Sequence, residues 1–501
     1  MVLSQRRSGV LLHISSLPGP HGLGDLGPSA HRFVDWLAEA GQSLWQILPT
    51  NPVGPGHSPY QSVSAFGGSP SMVALEPLVA QGWLPQPALP DDGFPERRAD
   101  YARCLPWREA RLRAAFAGFE SRAAHAAWCR AEAGWVDDYA LFMALRDLQH
   151  GAPWWTWADD LRRRVPDALA AARRTHAAAC RFWCFVQWCF DEQMAALRRH
   201  ARQRGVHLVG DLPIFIAHDS ADCWSRPDLY QLDAQFQPTH VAGVPPDGLS
   251  EQGQRWGNPL YRWDRMAAEG HAWWTARVRR ALRTADVLRL DHFIGFQRYW
   301  AIPAGSPGAV AGEWRPGPGR ALFDDMAAAL GPLPLIAEDL GLVTPEVHAL
   351  REACGLPGMK IVSFAFGGDG SHEFLPHNHP VHCVAYTGTH DNDTLRGWWT
   401  SASARERAFL RAYCGLDDTD DHDLHWALMR VTSQSPARSV IFPLQDVLDL
   451  PTEHRMNLPG STDGNWAWRF GWEQIEPALT RRLARQAAAS GRAPLALLDL
   501  P

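Results

Sequence analysis

The segment DVLRLDHF, residues 286–293, is a short apolar run that ends in charged residues. Near-continuous hydrophobicity of this length is typical of a strand buried on both faces of a parallel sheet. Seven further segments share this pattern, and helical periodicity lies between several of the eight, as at 321–330 and 345–353. The eight predicted strands are 9–14, 43–48, 207–212, 286–293, 333–338, 359–364, 383–388 and 439–444.

Eight strands alternating with helices are what a TIM (β/α)8 barrel requires. A doubly wound sheet also alternates strands with helices, and periodicity by itself does not separate the two folds. Two connections are much longer than ordinary loops, and we read them as insertions. The prediction is therefore an α/β protein, a TIM (β/α)8 barrel with helical subdomain insertions.

The two long connections differ in character. Residues 77–205 are mainly Arg- and Ala-rich helical sequence, and the last helix has an apolar stripe from Phe182 to Leu197. Residues 219–265 have little helical period and much Pro, Gly and Trp, which predicts a lid-like loop. The predicted organisation is barrel strands 1 and 2 in residues 1–76, a mainly helical insertion in 77–205, and the remaining barrel with its lid in 206–501.

The composition excludes several classes of protein. The chain has 501 residues, with 48 Lys and Arg against 54 Asp and Glu, and this balance argues against binding of nucleic acid or a membrane surface. Nine cysteines without a C-x-x-C spacing indicate neither a disulfide framework nor a zinc site. No signal peptide and no run of eighteen apolar residues are visible, so we expect a cytoplasmic protein. The oligomeric state stays open.

Four of the predicted strands end in carboxylates, which are Asp211, Asp291, Glu338 and Asp391. Barrel enzymes carry their catalytic groups at the C-terminal ends of the strands, so these four should meet at one mouth. Mutual repulsion separates the pKa values of clustered carboxyl groups, leaving one protonated beside others that are ionised. Arg289 lies two residues before Asp291, on the same face of the strand, where its charge favours the carboxylate form.

This arrangement predicts glycoside cleavage by two carboxyl groups, with Asp291 as nucleophile and Glu338 as acid. The pattern alone does not decide whether Asp211 or Asp391 is the third group. No H-E-x-x-H, C-x-x-C or calcium-loop spacing occurs, and no phosphate-binding G-x-x-x-x-G-K-[ST] is present. We therefore predict no metal and no cofactor.

Motifs in order along residues 9–470 carry a resemblance to a known family. They include GHSPYQSVSAF at 56–66, GDLPIFIAHDSADCW at 210–224, GQRWGNPLYRW at 253–263, VLRLDHFIGF at 287–296, LIAEDLG at 335–341, YTGTHDNDT at 386–394 and MNLPGSTDGNWAWRF at 456–470. The chain resembles the amylomaltase family (4-alpha-glucanotransferase, disproportionating enzyme; glycoside hydrolase family 77), a cytoplasmic branch of the α-amylase superfamily. The helical region from about residue 77 to 204 contains the fewest motifs of the family.

The resemblance implies a retaining transfer of α-1,4-glucan segments, with α-1,4-glucan oligosaccharides as donor and acceptor. By motif, Asp291 would be the nucleophile, Glu338 the general acid/base and Asp391 the transition-state stabiliser. The residues implied to line the subsite of the cleaved glucose are Tyr60, Asp211, Arg289 and His390. Trp256 would belong to a loop that overhangs the cleft.

The sequence departs from the family pattern at three places. Residues 67–70 read Gly-Gly-Ser-Pro where the family usually has Ala-Gly-Asn-Pro, and Ser363 stands where the family commonly has Gln. Gly248 and Leu249 replace an aromatic pair in the lid. These changes leave the ratio of transfer to hydrolysis open. An α-1,4-glucan hydrolase on the same barrel is therefore the alternative, and a catalytically inactive glucan-binding protein is a more distant one.

Overall fold

The structure, a computed structural model, describes residues 2–89, 92–246, 251–417, 421, 423–461 and 463–499. Gly248 and Leu249 of the predicted lid lie outside these residues. The described residues contain twelve strands: β1 Arg7–Leu11, β2 Leu44–Gln46, β3 His207–Leu212, β4 His240–Val244, β5 Gln254–Pro259, β6 Val287–Leu290, β7 Arg298–Pro303, β8 Glu313–Pro316, β9 Leu335–Ala337, β10 Gly358–Ile361, β11 Cys383–Tyr386 and β12 Ser439–Pro443.

Helices precede, separate and surround these strands. In chain order the α-helices of the described residues are α1 Pro28–Glu39, α2 Glu76–Ala80, α3 Tyr101–Ala117, α4 Ala123–Leu148, α5 Asp159–Arg162, α6 Pro166–Thr175, α7 Ala177–Gln203, α8 Ala221–Ser225, α9 Trp263–Ala268, α10 Ala272–Ala281, α11 Ile294–Gln297, α12 Arg320–Leu330, α13 Pro345–Ala353, α14 Leu395–Ser401, α15 Ala404–Cys414, α16 Leu424–Gln434, α17 Leu444–Val447 and α18 Pro477–Ala489. The two helices expected at 321–330 and 345–353 are α12 and α13.

Eight strands form one parallel sheet in the order β10-β11-β12-β1-β2-β3-β6-β9. The two edges come together where the Ala337 N–H of β9 donates to the Pro357 carbonyl just before β10, at 2.9 Å. The sheet is thereby nearly closed, and the predicted TIM barrel with helical insertions is confirmed. Each of the eight predicted strands overlaps one barrel strand, because near-continuous apolar runs are buried against both the barrel interior and the surrounding helices.

Seven of the eight barrel strands end earlier than predicted, and β3 ends at the predicted residue, Leu212. Strand β6 ends at Leu290 and β10 at Ile361, so Asp291 and Ser363 both follow a strand. Ser363 lies in a 3-10 helical segment, Val362–Gly367. The chain turns out of the sheet at these points, which places the polar groups at the mouth and leaves the apolar residues in the wall.

The helices α3–α7 lie between β2 and β3, where the sequence predicts a helical insertion. The apolar stripe of α7 is buried along its whole length, at Phe182, Phe185, Val186, Cys189, Phe190, Met194 and Leu197. A face of this kind stabilises a helix by packing. The boundaries of the three predicted regions stay a prediction.

The segment 219–265 is more ordered than predicted. Its strands β4 and β5 join β7 and β8 in an antiparallel sheet of order β5-β4-β7-β8. The sequence does not indicate a strand at β5 because its residues, QRWGNP, are polar and include Gly and Pro. Among the described residues no helix is long and apolar enough to cross a membrane. The cytoplasmic location stays a prediction.

Candidate active site

The C-terminal ends of β3, β6 and β9 bring three of the four predicted carboxylates to one mouth. Register fixes this placement, since Asp211 of β3 is the Cα partner of Arg289 in β6. Asp291 follows the end of β6, and Glu338 follows the end of β9. In a parallel barrel the ends of neighbouring strands share one rim, so residues distant in sequence become neighbours.

Arg289 connects the three carboxylates. Its Nη1 donates to Asp211 Oδ1 and Oδ2, both at 2.8 Å, and to Asp291 Oδ1 at 3.0 Å. Its Nη2 lies 3.9 Å from Glu338 Oε2. The Arg289 side chain is only 4% exposed. Burial alone would lower the pKa of Arg289, but the charges of Asp211 and Asp291 outweigh burial and raise this pKa well above its ordinary value.

Glu338 is a mostly buried carboxyl group at the mouth. Its side chain is 12% exposed, and its Oε2 accepts the backbone N–H of His292 at 2.6 Å. Burial raises the pKa of Glu338 well above its usual range, and the nearby Asp291 adds to the effect against the opposing charge of Arg289. A raised pKa favours the protonated form of Glu338, which is the form that a general acid needs. His292 has φ of 50°, a left-handed conformation that is uncommon outside glycine.

Asp291 is more open than Glu338, with 24% of its side chain exposed. Burial, together with the charges of Asp211 and Asp391, raises the pKa of Asp291 to about 6, while Arg289 acts in the opposite direction. Asp291 is consequently ionised for the most part at neutral pH. Burial thus raises the pKa of both carboxyl groups and Arg289 opposes the rise at both, but the guanidinium lies closer to Asp291, at 3.0 Å, than to Glu338, at 3.9 Å.

Asp391 reaches the same mouth from the loop after β11. Its Oδ1 accepts Asn457 Nδ2 at 2.6 Å, and its Oδ2 lies 3.3 Å from His390 Nε2. Burial would raise the pKa of Asp391, but His390, the Asn457 hydrogen bond and Arg289 together lower it below the usual range. With 42% of its side chain exposed, Asp391 is an ionised group that faces the open cleft.

Asp211 differs from the other three carboxylates because its side chain is fully buried, at 0% exposure. Its Oδ2 also accepts the Tyr60 hydroxyl at 2.6 Å, and this hydroxyl lies 2.8 Å from His390 Nε2. The Tyr60 and His390 rings stack with centroids 5.2 Å apart. Asp211 therefore acts on the mouth through Arg289 and Tyr60, whose positions it fixes.

Trp256 closes the site from the antiparallel sheet. The ring of Trp256, on β5, stands perpendicular to that of His292 with centroids 4.9 Å apart. The Trp256 carbonyl accepts Gln61 Nε2 at 3.0 Å, which joins β5 to the loop that carries Tyr60. All eight sequence-predicted site residues are thus brought together, with Trp256 at the edge and linked through His292.

The sequence analysis missed Asn457, Arg455 and the backbone N–H of His292. Arg455 Nη2 donates to the Asp391 carbonyl at 3.0 Å, and the Asn457 N–H donates to the His390 carbonyl at 3.1 Å. Asn457 lies in the quoted stretch MNLPG, but a polar residue in a loop has no spacing that points to a strand end more than sixty residues earlier. The sequence shows His292 next to Asp291, but it does not indicate that the His292 backbone N–H binds Glu338.

Gly68 keeps the glycine of the family pattern within the altered segment 67–70, and its packing explains why. Its N–H donates to Gln187 Oε1 at 2.7 Å, and Gln187 Nε2 donates back to the Gly68 carbonyl at 2.8 Å. A Cβ atom at Gly68 would lie 2.1 Å from Phe190 Cδ1. The loop after Tyr60 is therefore seated directly against α7, where only a glycine fits.

Known proteins resemble this chain over nearly its whole length. The family model described as 4-alpha-glucanotransferase matches residues 12–474. The 4-alpha-glucanotransferase of Thermus thermophilus is 47% identical over 498 residues, covering 97% of this chain and 99% of its own. The 4-alpha-glucanotransferase of Synechocystis is 42% identical over 494 residues, covering 96% of this chain and 97% of its own.

A solved structure gives the same result. The amylomaltase from Streptococcus agalactiae, in complex with acarbose, superposes with a TM-score of 0.94 at 35% identity, covering 98% of this chain and 100% of its own. Sequence and fold therefore agree over nearly the whole length. The chain belongs to the 4-alpha-glucanotransferase (amylomaltase) family of glycosyltransferases.

Proposed function

We propose that this chain transfers α-1,4-glucan segments between maltodextrins through a covalent glucosyl intermediate on Asp291. The observation that carries the proposal is the placement of two carboxyl groups, Asp291 and Glu338, on either side of one guanidinium at the barrel mouth. Burial raises the pKa of Glu338 and so favours its protonated form, whereas the contact of Asp291 with Arg289 at 3.0 Å favours the carboxylate form of Asp291. An acid and a nucleophile are what the retaining cleavage of a glycosidic bond needs.

In the first step Glu338 gives its proton to the glycosidic oxygen while Asp291 attacks the anomeric carbon. The bond from the anomeric carbon to that oxygen breaks, and the shortened glucan leaves with a new hydroxyl group. In the second step ionised Glu338 takes the proton from the 4-hydroxyl of an acceptor sugar, whose oxygen displaces Asp291. Two inversions at the anomeric carbon retain its configuration.

Asp391 is better suited than Asp211 to be the third carboxylate. Its side chain is 42% exposed and ionised, so it can accept hydrogen bonds from sugar hydroxyls and face the positive charge of the transition state. Asp211 is fully buried and already bonded by Arg289 and Tyr60. We assign Asp211 the role of holding those two side chains, with Tyr60, Arg289 and His390 around the cleaved glucose.

Trp256 supports the use of sugar rather than water as acceptor. Its ring lies beside His292 at the edge of the mouth, and a flat aromatic face stacks on sugar rings while it excludes water. The Streptococcus agalactiae amylomaltase was solved with acarbose, and we expect acarbose to occupy this mouth here also. We further propose a cytoplasmic location, as the resemblance implies.

The test is incubation of the purified protein with maltotriose alone, without added metal, with products resolved by chain length over time. We expect glucose together with chains longer than maltotriose. Glucose and maltose only, with reducing ends rising, would assign the chain to the hydrolases. Absence of products with retained acarbose binding would make it a binding protein. The Asp291→Asn variant is the matched control, since it keeps the size of the side chain and removes the nucleophile.

A further inference from the structure

A group of thiols lies outside the active site, where α4 packs against α7. These helices run antiparallel. Trp128 Nε1 of α4 donates to Asp191 Oδ2 of α7 at 2.8 Å, and further along Trp183 Nε1 of α7 donates to Asp147 Oδ2 of α4 at 3.0 Å. Residue numbers therefore rise along one helix as they fall along the other.

Cys129 and Cys184 lie opposite each other across this contact. The rings of His125 on α4 and Trp188 on α7 lie 5.3 Å apart. Cys129 is four residues after His125 and Cys184 is four residues before Trp188, so in antiparallel helices each thiol lies one turn further along the same face. In agreement with this placement, each of the thiols of Cys129 and Cys184 shifts the pKa of the other. Both side chains are partly exposed, so small solutes can reach them.

The two thiols are chemically different. The contact with Cys184 lowers the pKa of Cys129, whereas the same contact, followed by burial, raises the pKa of Cys184. His125 Nε2 lies 3.4 Å from Cys129 Sγ, and burial lowers the pKa of His125, which favours the neutral imidazole that can accept a hydrogen bond from the thiol. One thiol of low pKa beside a second thiol is the arrangement of an oxidisable pair.

We propose that Cys129 and Cys184 form a reversible oxidation site, at which hydrogen peroxide joins the two thiols in a disulfide that ties α4 to α7. The Cys129 thiolate attacks one peroxide oxygen, the O–O bond breaks, and the departing hydroxide takes up the proton released by the thiol to leave as water. Cys184 then attacks the Cys129 sulfenic acid, the S–S bond forms, the S–O bond breaks, and a second water leaves with the Cys184 proton. The two sulfurs lose two electrons, which reduce the peroxide.

The cross-link would stabilise a helix that supports the active-site loop. From α7, Gln187 makes two hydrogen bonds to Gly68, and Gln193 Oε1 accepts the Ala74 N–H at 2.7 Å. A disulfide between residues 129 and 184 also restricts the unfolded chain between them. We therefore expect oxidation to raise the melting temperature and dithiothreitol to reverse the rise.

The experiment treats the folded, full-length protein with hydrogen peroxide, blocks remaining thiols, and maps a non-reduced digest by mass spectrometry. We expect the loss of two of the nine thiols, one cross-linked peptide pair that contains Cys129 and Cys184, and full recovery with dithiothreitol. The Cys184→Ser variant should instead leave a sulfenic acid on Cys129 that reacts with dimedone. Cys180→Ser, one turn away on α7, is the matched control and should still form the cross-link.

Any of three results would overturn the proposal. These are a cross-link that involves Cys180 or another thiol in place of the pair, oxidation of Cys129 to a sulfinic or sulfonic acid without a cross-link, and no loss of thiols. Transfer activity on maltotriose before oxidation shows that each variant is folded. The mapped cross-link does not depend on that activity. The test of the oxidation site is therefore independent of the test of the transfer mechanism.

Discussion

Asn457 is the most informative position to change, because it holds Asp391 from a loop that no predicted strand end includes. Its Nδ2 donates to Asp391 Oδ1 at 2.6 Å and helps to lower the pKa of Asp391. Asn457→Ala removes this hydrogen bond. Hydrogen bonds to charged groups contribute about 1.5–3 kcal/mol. Since Asp391 is 42% exposed, water replaces part of the bond, and the lower end of that range applies.

A loss of about 1.5 kcal/mol in the transition state corresponds to roughly a tenfold fall in kcat/KM. Asn457→Asp has a larger effect, because it places a second carboxylate where the amide donor stood. Repulsion between the two carboxylates then raises the pKa of Asp391. At lower pH a shared proton restores one hydrogen bond, so the activity of Asn457→Asp relative to Asn457→Ala should improve as the pH falls.

The assay is the initial rate of glucose release from maltotriose for both variants between about pH 5 and 8. Asn465→Ala is the matched control, since Asn465 lies on the same loop but accepts the Leu458 N–H at 2.9 Å. Thermal melting shows whether each variant is folded. The reasoning is refuted if Asn457→Asp keeps full activity at pH 7, or if the two Asn457 variants are equal at every pH.

Three further predictions follow from the same geometry. Activity should fall about tenfold per pH unit as the pH drops below about 6, because protonation of Asp291 removes the nucleophile; a flat profile down to pH 4 would contradict this. Gly68→Ala should lower the free energy of unfolding by about 1–3 kcal/mol, because the new methyl group meets Phe190; unchanged denaturant unfolding would contradict it. Trp256→Ala should raise the share of hydrolysis among the products of maltotriose, whereas Trp273→Ala, on α10, should leave that share unchanged.

The barrel was predictable because its strands are buried on both faces. That environment makes each strand an apolar run, which is visible without knowledge of the partners. The antiparallel sheet was not predictable in the same way. Strand β5 contains Gly257 and Pro259 among polar residues, and its strand conformation depends on pairing with β4. Such a segment takes its structure from tertiary contacts that its own composition does not indicate.

The candidate site was predictable where topology alone places a residue. Asp211 lies at the end of β3, and Asp291 and Glu338 directly follow β6 and β9, so the barrel brings the three together whatever the loops do. The protonation of the site depends on finer geometry. The N–H of His292 donates to Glu338 from the turn after β6, and Asn457 reaches Asp391 across a long stretch of chain. Neither has a local sequence signal.

The most direct test of the central claim is to trap the glycosyl group on Asp291. In Glu338→Gln the general base is absent, while a maltosyl fluoride donor needs no acid because fluoride leaves unaided. The account predicts that mass spectrometry of the quenched variant shows one added maltosyl unit, on the peptide that contains Asp291, and none in the double variant with Asp291→Asn. Consumption of the donor without an adduct, or an adduct on another carboxylate, would contradict the account.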